Sequence, residues 1–130
     1  MRVVIDCNVI VAAARIDGSC RHALLAAIRD HEIVLSEPIV DEYRDVGARL
    51  KHRVYRPVML ILIDLLEIVA LTVEPAAIGF DLEDLDDEVY LATASAGEAQ
   101  ALITGNLRHF PERFYGGIEI LTPSEFLERC

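Results

Sequence analysis

The sequence predicts an α/β fold, in which helices cover a mostly parallel β-sheet. At the amino end, Arg2 precedes three β-branched apolar residues, Val3 to Ile5, a run that is typical of a strand buried on both faces. Apolar residues at helical spacing then extend from Ser19 to about Arg29, and Glu32 to Leu35 has the pattern of a short strand. A strand, a helical crossover and a second strand form the βαβ unit of α/β proteins.

The length and charge of the chain limit its function. Its 130 residues, 53% of them hydrophobic, are suited to one domain spanning the whole chain. The formal net charge of -10 argues against a general nucleic-acid coat and against binding to an anionic membrane surface. It does not exclude a nucleic-acid enzyme, because divalent cations held by converging acids reverse the local charge.

Neither a disulfide framework nor a membrane segment is predicted. The three cysteines, Cys7, Cys20 and Cys130, are odd in number and lack metal-binding spacing. Asp6 and Asn8 interrupt the first apolar residues, which a signal peptide would not tolerate well. Acidic residues also interrupt the apolar stretch at 58–73, which is shorter than the roughly 20 residues that span a bilayer. We therefore expect a soluble cytoplasmic protein.

Helix signals continue through the first half of the chain. The segment Asn8 to Arg15 is apolar and alanine-rich, which predicts a helix, and Ser19 is suited to cap the next one. Ser36-Glu37-Pro38 marks the start of a third helix. The apolar stripe of this helix is predicted to face the core and comprises Ile39, Tyr43, Val46 and Leu50.

The second half alternates in the same way. Pro57 begins a helix that is apolar nearly all round, so we expect it to be buried or to pack against a second copy of the protein. The strands predicted after it are residues 67–73, 101–104 and 118–121, and the helices are residues 89–99 and a short one from Pro123.

Four acidic side chains are predicted to meet at one edge of this sheet. Asp6 directly follows the first strand, where open α/β sheets bind their ligands, although it could instead cap the next helix. Glu42 lies about 60° from the centre of the apolar stripe of its helix, so it leans inward or is a half-exposed surface residue. Asp84 is suited to cap the helix that follows it, and Asp87 shares the core-facing side of that helix.

These acids indicate metal-dependent chemistry. A buried carboxylate is costly unless it is paired or coordinates a metal. Oxygen ligands without His or Cys suit Mg²⁺ or Mn²⁺, which bridge to substrate phosphates, and the implied reaction is hydrolysis of a phosphodiester. Thr104, Gly105 and Asn106 follow a late strand and are expected at the same edge.

The basic residues are concentrated between Arg49 and Arg56, a segment that contains the single lysine, Lys51, and the aromatic Tyr55. Arg and Lys supply charge for a phosphate backbone, and an aromatic ring can stack on an unpaired base. A solvated helix face is an equally good interpretation of such a run. The candidate RNA-binding residues are Arg49, Lys51, Arg53, Arg56 and, in a later loop, Arg108.

Four motifs in register resemble the PIN domain family, and together they cover nearly the whole chain. They are Val4-Ile5-Asp6-Cys7-Asn8-Val9, Ser36 with Glu42 six residues on, Asp84-Leu85-Asp86-Asp87 with Leu91-Ala92, and Ile103-Thr104-Gly105-Asn106. The sequence is particularly similar to the VapC-like toxin components of toxin–antitoxin pairs. This resemblance implies a three-layer, Rossmann-like α/β/α sandwich and an endoribonuclease that depends on Mg²⁺ or Mn²⁺. It also implies a homodimer and a cognate antitoxin.

The resemblance further implies a role for each site residue. Asp6, Glu42 and Asp87 match the family's characteristic acids and would be catalytic metal ligands, with Asp84 as an accessory ligand. Asn8 would orient Asp6 or a bound water, and Thr104 and Asn106 would lie beside it. Many relatives have Asp where this chain has Asn106. A neutral amide adds no charge, so the number of metal ions stays open.

Three other interpretations compete with this one. A PIN fold that binds RNA or a partner without activity is consistent with Asn106. A phosphatase of the haloacid-dehalogenase type also places an Asp after its first strand. It needs a second Asp where this chain has Asn8, and a late lysine, whereas the chain has only Lys51. A nucleotide-binding Rossmann module is weaker still, because no Gly-rich loop follows the first strand.

Overall fold

One mixed sheet organises the protein, as seen in a computed structural model that describes residues 1–77 and 79–129. Within those residues the sheet has six strands in the order β3-β2-β1-β4-β6-β5, and every neighbouring pair is parallel except β5 with β6. The strands are β1 (Arg2–Ile5), β2 (Glu32–Leu35), β3 (Leu71–Thr72), β4 (Ala101–Ile103), β5 (Phe114–Tyr115) and β6 (Ile118–Leu121).

Helices cover the sheet, and the predicted α/β/α sandwich with a mostly parallel sheet is confirmed. The helix α5 packs on β1, β2, β4 and β6, while α2 and α4 pack on β2 and α1 packs on α2, α3 and α4. The helices are α1 (Cys7–Arg15), α2 (Ser19–Asp30), α3 (Glu37–Gly47), α4 (Arg56–Val69), α5 (Leu85–Ala96) and α6 (Pro123–Glu128). Short 3₁₀ turns occupy Leu50–His52 and Leu107–His109.

The core explains why β1 is the central strand. Val3, Val4 and Ile5 point alternately to opposite faces of the sheet, and all three are fully buried. At the end of α5, a Cβ added to Gly97 would lie 2.4 Å from a methyl group of Val34 on β2. Because glycine has no Cβ, the end of α5 can pack closely against β2.

Two predicted boundaries are wrong, because α4 ends later and α3 ends earlier than the sequence pattern predicts. The helix α4 continues to Val69, because its inward stripe ends only at Leu66, and the strand predicted at 67–73 is reduced to Leu71–Thr72. The helix α3 stops at Gly47, so Leu50 lies in the next turn and is 75% exposed instead of facing the core.

Other differences concern helix ends and one short strand. Helix α5 begins at Leu85 and ends at Ala96, four and three residues earlier than predicted, with Asp84 at its amino-terminal cap. Ser19 is the first residue of α2 and makes no capping bond, since Gly18 occupies the cap position. The two-residue strand β5 has no sequence pattern long enough to predict it.

The structure describes two of the three cysteines and the helices named above. Cys7 and Cys20 are free thiols, and Cys130 lies outside the described residues. In the ranges 1–77 and 79–129, none of the helices has the length and hydropathy needed to cross a bilayer.

Candidate active site at the carboxyl edge of the sheet

The candidate site lies where β1 and β4 end side by side. Ile5 is in register with Ile103, and the backbone N–H of Asp6 donates to the Ile103 carbonyl at 2.9 Å. The strands β2 and β3 lie on one side of β1, whereas β4 lies on the other side. The connections therefore diverge here and open the crevice in which α/β sheets of this kind bind ligands.

Asp6 is held rigidly at the bottom of this crevice. Only 5% of the residue is exposed, and its Oδ2 accepts hydrogen bonds from the Thr104 hydroxyl at 2.8 Å and from the Asn8 amide at 3.2 Å. Although Asp6 occupies the cap position of α1, its side chain makes no capping bond. Burial raises the pKa of Asp6 to about 6. The Thr104 hydrogen bond opposes this rise, and the charge of Asp87 adds to it.

Asn8 joins the two strand ends. Its amide nitrogen donates to Asp6, and its Oδ1 accepts from the backbone N–H of Gly105 at 2.9 Å. A Cβ on Gly105 would lie 3.2 Å from this same oxygen, so a larger residue would press on the bond. Asn8 therefore fixes the position of Asp6 relative to the end of β4.

Glu42 reaches the crevice from α3 and is half-buried. Its Oε1 accepts from the hydroxyl of Tyr90 at 2.6 Å, and the same hydroxyl accepts from the backbone N–H of Cys7 at 3.2 Å. Burial raises the pKa of Glu42, the Tyr90 bond lowers it, and the charge of Asp6 raises it further. Tyr90 therefore connects α5, the start of α1 and the carboxylate on α3.

A second buried tyrosine supports the other side of Asp6. The hydroxyl of Tyr43 donates to the carbonyl of Ile5, and both Tyr43 and Tyr90 have a pKa far above the usual value, chiefly because they are buried. The peptide groups before and after Asp6 are thus each bonded to a tyrosine hydroxyl that burial keeps protonated. The backbone of Asp6 is fixed as firmly as its side chain.

The start of α5 supplies the remaining acids. Asp84 caps the helix by accepting from the backbone N–H of Asp86 at 2.9 Å. Asp87 is 7% exposed, and its Oδ2 lies 3.3 Å from the Nδ1 of His109. Burial raises the pKa of Asp87, the adjacent His109 lowers it, and Asp84 raises it. Glu88 accepts from two backbone N–H groups of the preceding loop and so holds that loop in place.

These acids share one cavity with several cations. The cavity has a volume of about 530 Å³ and is lined by five acids that we call the acidic cluster: Asp6, Glu42, Asp84, Asp86 and Asp87. Its lining also includes three cations that we call the basic wall: Arg15, Arg49 and Lys51. A second cavity of about 600 Å³ shares Asp84, Asp87 and His109 with the first and adds Arg108.

Other predicted site residues have different surroundings. Thr104 is fully buried beneath Asp6. Asn106 lines neither cavity, and its Oδ1 caps a 3₁₀ turn by accepting from the backbone N–H of Arg108 at 3.2 Å. Arg53 also lines neither cavity. Nε and Nη2 of Arg56 donate to the carbonyls of residues 47, 48 and 49, so these donors terminate α3.

The sequence prediction did not include four residues that belong to this site. Asp86 and His109 line the main cavity, Tyr90 bonds to Glu42, and Arg15 lies in the basic wall. Tyr90 follows Asp87 by three residues, so its place on the same helical face was a usable signal. Arg15 and His109 carried no such signal, because only the tertiary fold brings them to the cavity.

The donors present are compatible with a divalent cation, although no direct chelate is preformed. Among residues 1–77 and 79–129, no group of three or more acidic, histidine or cysteine side chains is arranged to hold a metal ion. A Mg²⁺ ion keeps several waters and is often bound by one or two carboxylates and substrate phosphates. Asp6 and Asp87 line the same cavity, and the charge of Asp87 raises the pKa of Asp6, so these two carboxylates are close enough to interact.

Comparisons with known proteins place the chain in a family. The chain is similar to one from the crystal structure of VapBC2 from Rickettsia felis bound to a DNA fragment from their promoter. The TM-score is 0.65 with 14% sequence identity, over 94% of this chain and 98% of that chain, which shows a shared fold. No curated protein sequence matches the chain. A model of the PIN domain matches residues 2–108. Because that match extends over most of the chain, the protein belongs to the PIN domain family.

Proposed function

We propose that the protein is a metal-dependent endoribonuclease that hydrolyses phosphodiester bonds in RNA. The observation that carries this proposal is the acidic cluster, which brings carboxylates from β1, α3 and α5 into one cavity. Burial and mutual repulsion raise the pKa of Asp6, Glu42 and Asp87. Such a cluster is tolerated when a divalent cation offsets its charge, and PIN domains are generally nucleases that use such ions.

Asp6, Glu42 and Asp87 are the proposed catalytic ligands of Mg²⁺ or Mn²⁺, with Asp84 as an accessory ligand. When bound, the ion would lower the pKa of a coordinated water and offset charge on the phosphate. The chain's own residues orient the ligands. Thr104 and Asn8 hold Oδ2 of Asp6, and Tyr90 holds one oxygen of Glu42. Each of these bonds is made to one oxygen of its carboxylate, Oδ2 of Asp6 and Oε1 of Glu42.

Asn8 argues against a phosphatase of the haloacid-dehalogenase type. In that mechanism this position supplies a carboxylic acid as proton donor to the leaving group. Here both polar atoms of the Asn8 side chain are bonded, to Asp6 and to the Gly105 backbone, and neither is a titratable acid. Asn8 therefore positions Asp6 and does not supply a proton to a leaving group.

We also propose that the protein is the toxin of a type II toxin–antitoxin pair, inhibited by a cognate antitoxin and acting on RNA in the cytoplasm. The similarity to a VapBC2 chain supports this role. A homodimer is proposed through α4, whose side chains Val58, Ile61 and Ile68 are 41%, 65% and 80% exposed. Light scattering of the protein and of Ile61→Arg tests the dimer. Growth arrest on expression, relieved by the protein encoded upstream, tests the toxin role.

The deciding experiment is cleavage of single-stranded RNA with Mg²⁺ or Mn²⁺ and with EDTA. We expect cleavage only with metal, and its loss in Asp6→Asn and Asp87→Asn. Asp41→Asn is the matched control, because Asp41 is an exposed carboxylate on α3 that lines no part of the main cavity. Activity in EDTA or in either site variant would reject the metal mechanism. A wild-type protein that binds RNA but never cuts it would support the alternative of an inactive PIN module.

A further inference from the structure

Most basic side chains of this chain are occupied by partners within it. There are 12 Lys and Arg residues against 22 Asp and Glu residues, so a surface cation has many carboxylates available. Five arginines form ion pairs with carboxylates, namely Arg2, Arg29, Arg44, Arg113 and Arg129. Two more, Arg21 and Arg56, donate to backbone carbonyls. Basic residues left without such partners are therefore the exception.

Within the described part of the chain, five cations lack such partners. Arg15, Arg49, Lys51, Arg53 and Arg108 have no carboxylate partner among the described residues, although four of them line cavities that contain acids. Burial lowers the pKa of the nearby His52, and the charges of Lys51, Arg49 and Arg15 lower it further, which places these three cations close together. An arrangement of this kind is suited to an anion that comes from outside the chain.

Four of these five cations lie on two sides of the acids. Arg15, Arg49 and Lys51 form the basic wall of the main cavity, and Arg108 lines the adjoining cavity. Because the two cavities share Asp84 and Asp87, these acids lie between the two groups of cations. Arg53 belongs to the same turn as Lys51 but lines neither cavity.

Arg15 has an internal contact that accounts for its orientation. It ends α1, and its guanidinium carbon lies 5.6 Å from the centre of the Tyr55 ring, whose hydroxyl is bonded to His52. A cation over an aromatic ring is held in position without losing its charge or its hydrogen-bond donors. Arg15 is therefore oriented while its donors stay available to a phosphate.

We propose that Arg15, with Arg49 and Lys51, binds the phosphates on one side of the cut bond, while Arg108 binds a phosphate on the other side. This inference rests on the proposed function and specifies its substrate as an unpaired RNA strand that crosses the acidic cluster. Asp6 and Asp87 are 5% and 7% exposed, so a phosphate must descend into the cavity to reach them. An unpaired strand can bend in this way, whereas a regular duplex keeps its phosphates on the outside of a stiff helix.

Equilibrium binding by the Asp87→Asn variant tests the assignment without cleavage. The probe is a labelled single-stranded RNA of about ten nucleotides, and affinity is measured across a range of salt concentrations. Each lost phosphate contact reduces the slope of log K against log salt by about 0.7. We expect Arg15→Gln to weaken binding several-fold and to reduce the slope by about that amount. Arg15→Lys should keep most of the slope, and Arg53→Gln should leave the slope unchanged.

The outcomes separate this inference from the proposed function. If Arg15→Gln keeps the wild-type slope, or if Arg53→Gln loses as much as Arg15→Gln, the phosphate assignment is overturned. If the RNA duplex of the same sequence binds as tightly as the single strand, the assignment to an unpaired strand is overturned. If the slopes change as expected but the wild-type protein never cuts RNA, the binding assignment stands and the nuclease proposal fails. Thermal melting of each variant shows whether it is folded.

Discussion

The acidic cluster and the basic wall lie in one cavity but are built in opposite ways. Asp6 and Asp87 are buried, and Asp6 and Glu42 are held by hydrogen bonds from Thr104, Asn8 and Tyr90. The cations of the basic wall are exposed and, within the described residues, lack carboxylate partners. Buried charges held by hydrogen bonds suit chemistry that needs fixed geometry, whereas exposed charges suit capture of a flexible anion. Changes in the two regions should therefore affect different kinetic constants.

The largest expected effect comes from breaking the acidic cluster at Glu42. We expect Glu42→Gln to reduce kcat by about 100-fold or more with little change in KM, since a neutral amide is a poorer metal ligand of nearly the same shape. Steady-state cleavage of RNA with Mg²⁺ measures both constants. Glu37→Gln is the matched control, because Glu37 is exposed on the same helix. Arg49→Gln should instead raise KM, and a loss confined to KM in Glu42→Gln would contradict the division between the regions.

The next effect concerns the stability of the metal-free protein. The pKa of Asp6 rises from 3.8 to about 6 on folding, so folding favours the protonated form. The stability that this shift contributes is fully present below pH 3.8 and is lost as the pH rises through about 6. The difference amounts to about 3 kcal/mol. We therefore expect the metal-free protein to unfold more easily at neutral pH than at about pH 4.5.

Asp6→Asn tests this origin of the pH dependence directly. The amide oxygen can still accept from Thr104 and Asn8, and no charge remains to be buried. Urea denaturation in EDTA should show a more stable variant at neutral pH and a weaker dependence on pH. Mg²⁺ should stabilise the wild type and leave Asp6→Asn nearly unchanged, because only the wild type gains a ligand to its folded state. If both proteins kept the same pH dependence, burial of Asp6 would not be its source.

Tyr90→Phe removes a hydroxyl that holds Glu42 in place and leaves every carboxylate of the acidic cluster present. The change leaves the Cys7 N–H and Glu42 without the shared hydroxyl, which should cost about 2 kcal/mol of unfolding free energy. The Tyr90 bond lowers the pKa of Glu42, so its loss should move the acidic limb of the kcat profile to higher pH. Tyr115→Phe is the control, since its hydroxyl also accepts a backbone N–H but lies outside the site. It should lose stability without a shift in the profile.

The same contrast explains which parts of the site the sequence could predict. Asp6, Asp84 and Asp87 follow from local rules, because a strand end and a helix start fix where their side chains point. Arg15 and His109 depend on how α1 and the loop after β4 approach the cavity, and no local pattern encodes that approach. The same limit applies to the fold. The run of buried apolar residues in β1 was sufficient to predict that strand. The ends of α3 and α4 could not be predicted in the same way, because they depend on where the tertiary contacts of these helices stop.

The smallest expected effect distinguishes two arginines that the sequence treats alike. Arg56 donates to three carbonyls that end α3, so Arg56→Gln should reduce the unfolding free energy by about 1 kcal/mol. Arg53 is exposed and has no such bonds among the described residues, so Arg53→Gln should leave stability unchanged.

Urea denaturation and the salt dependence of RNA binding measure the two roles separately. Because Nε and Nη2 of Arg56 donate to the carbonyls that end α3, its loss should change affinity only slightly and leave the salt slope intact. If Arg56→Gln were as stable as the wild type and its slope fell by one phosphate contact, Arg56 would be an RNA ligand, as the basic run first suggested. The basic wall would then extend beyond the cavity to Arg56 at the start of α4.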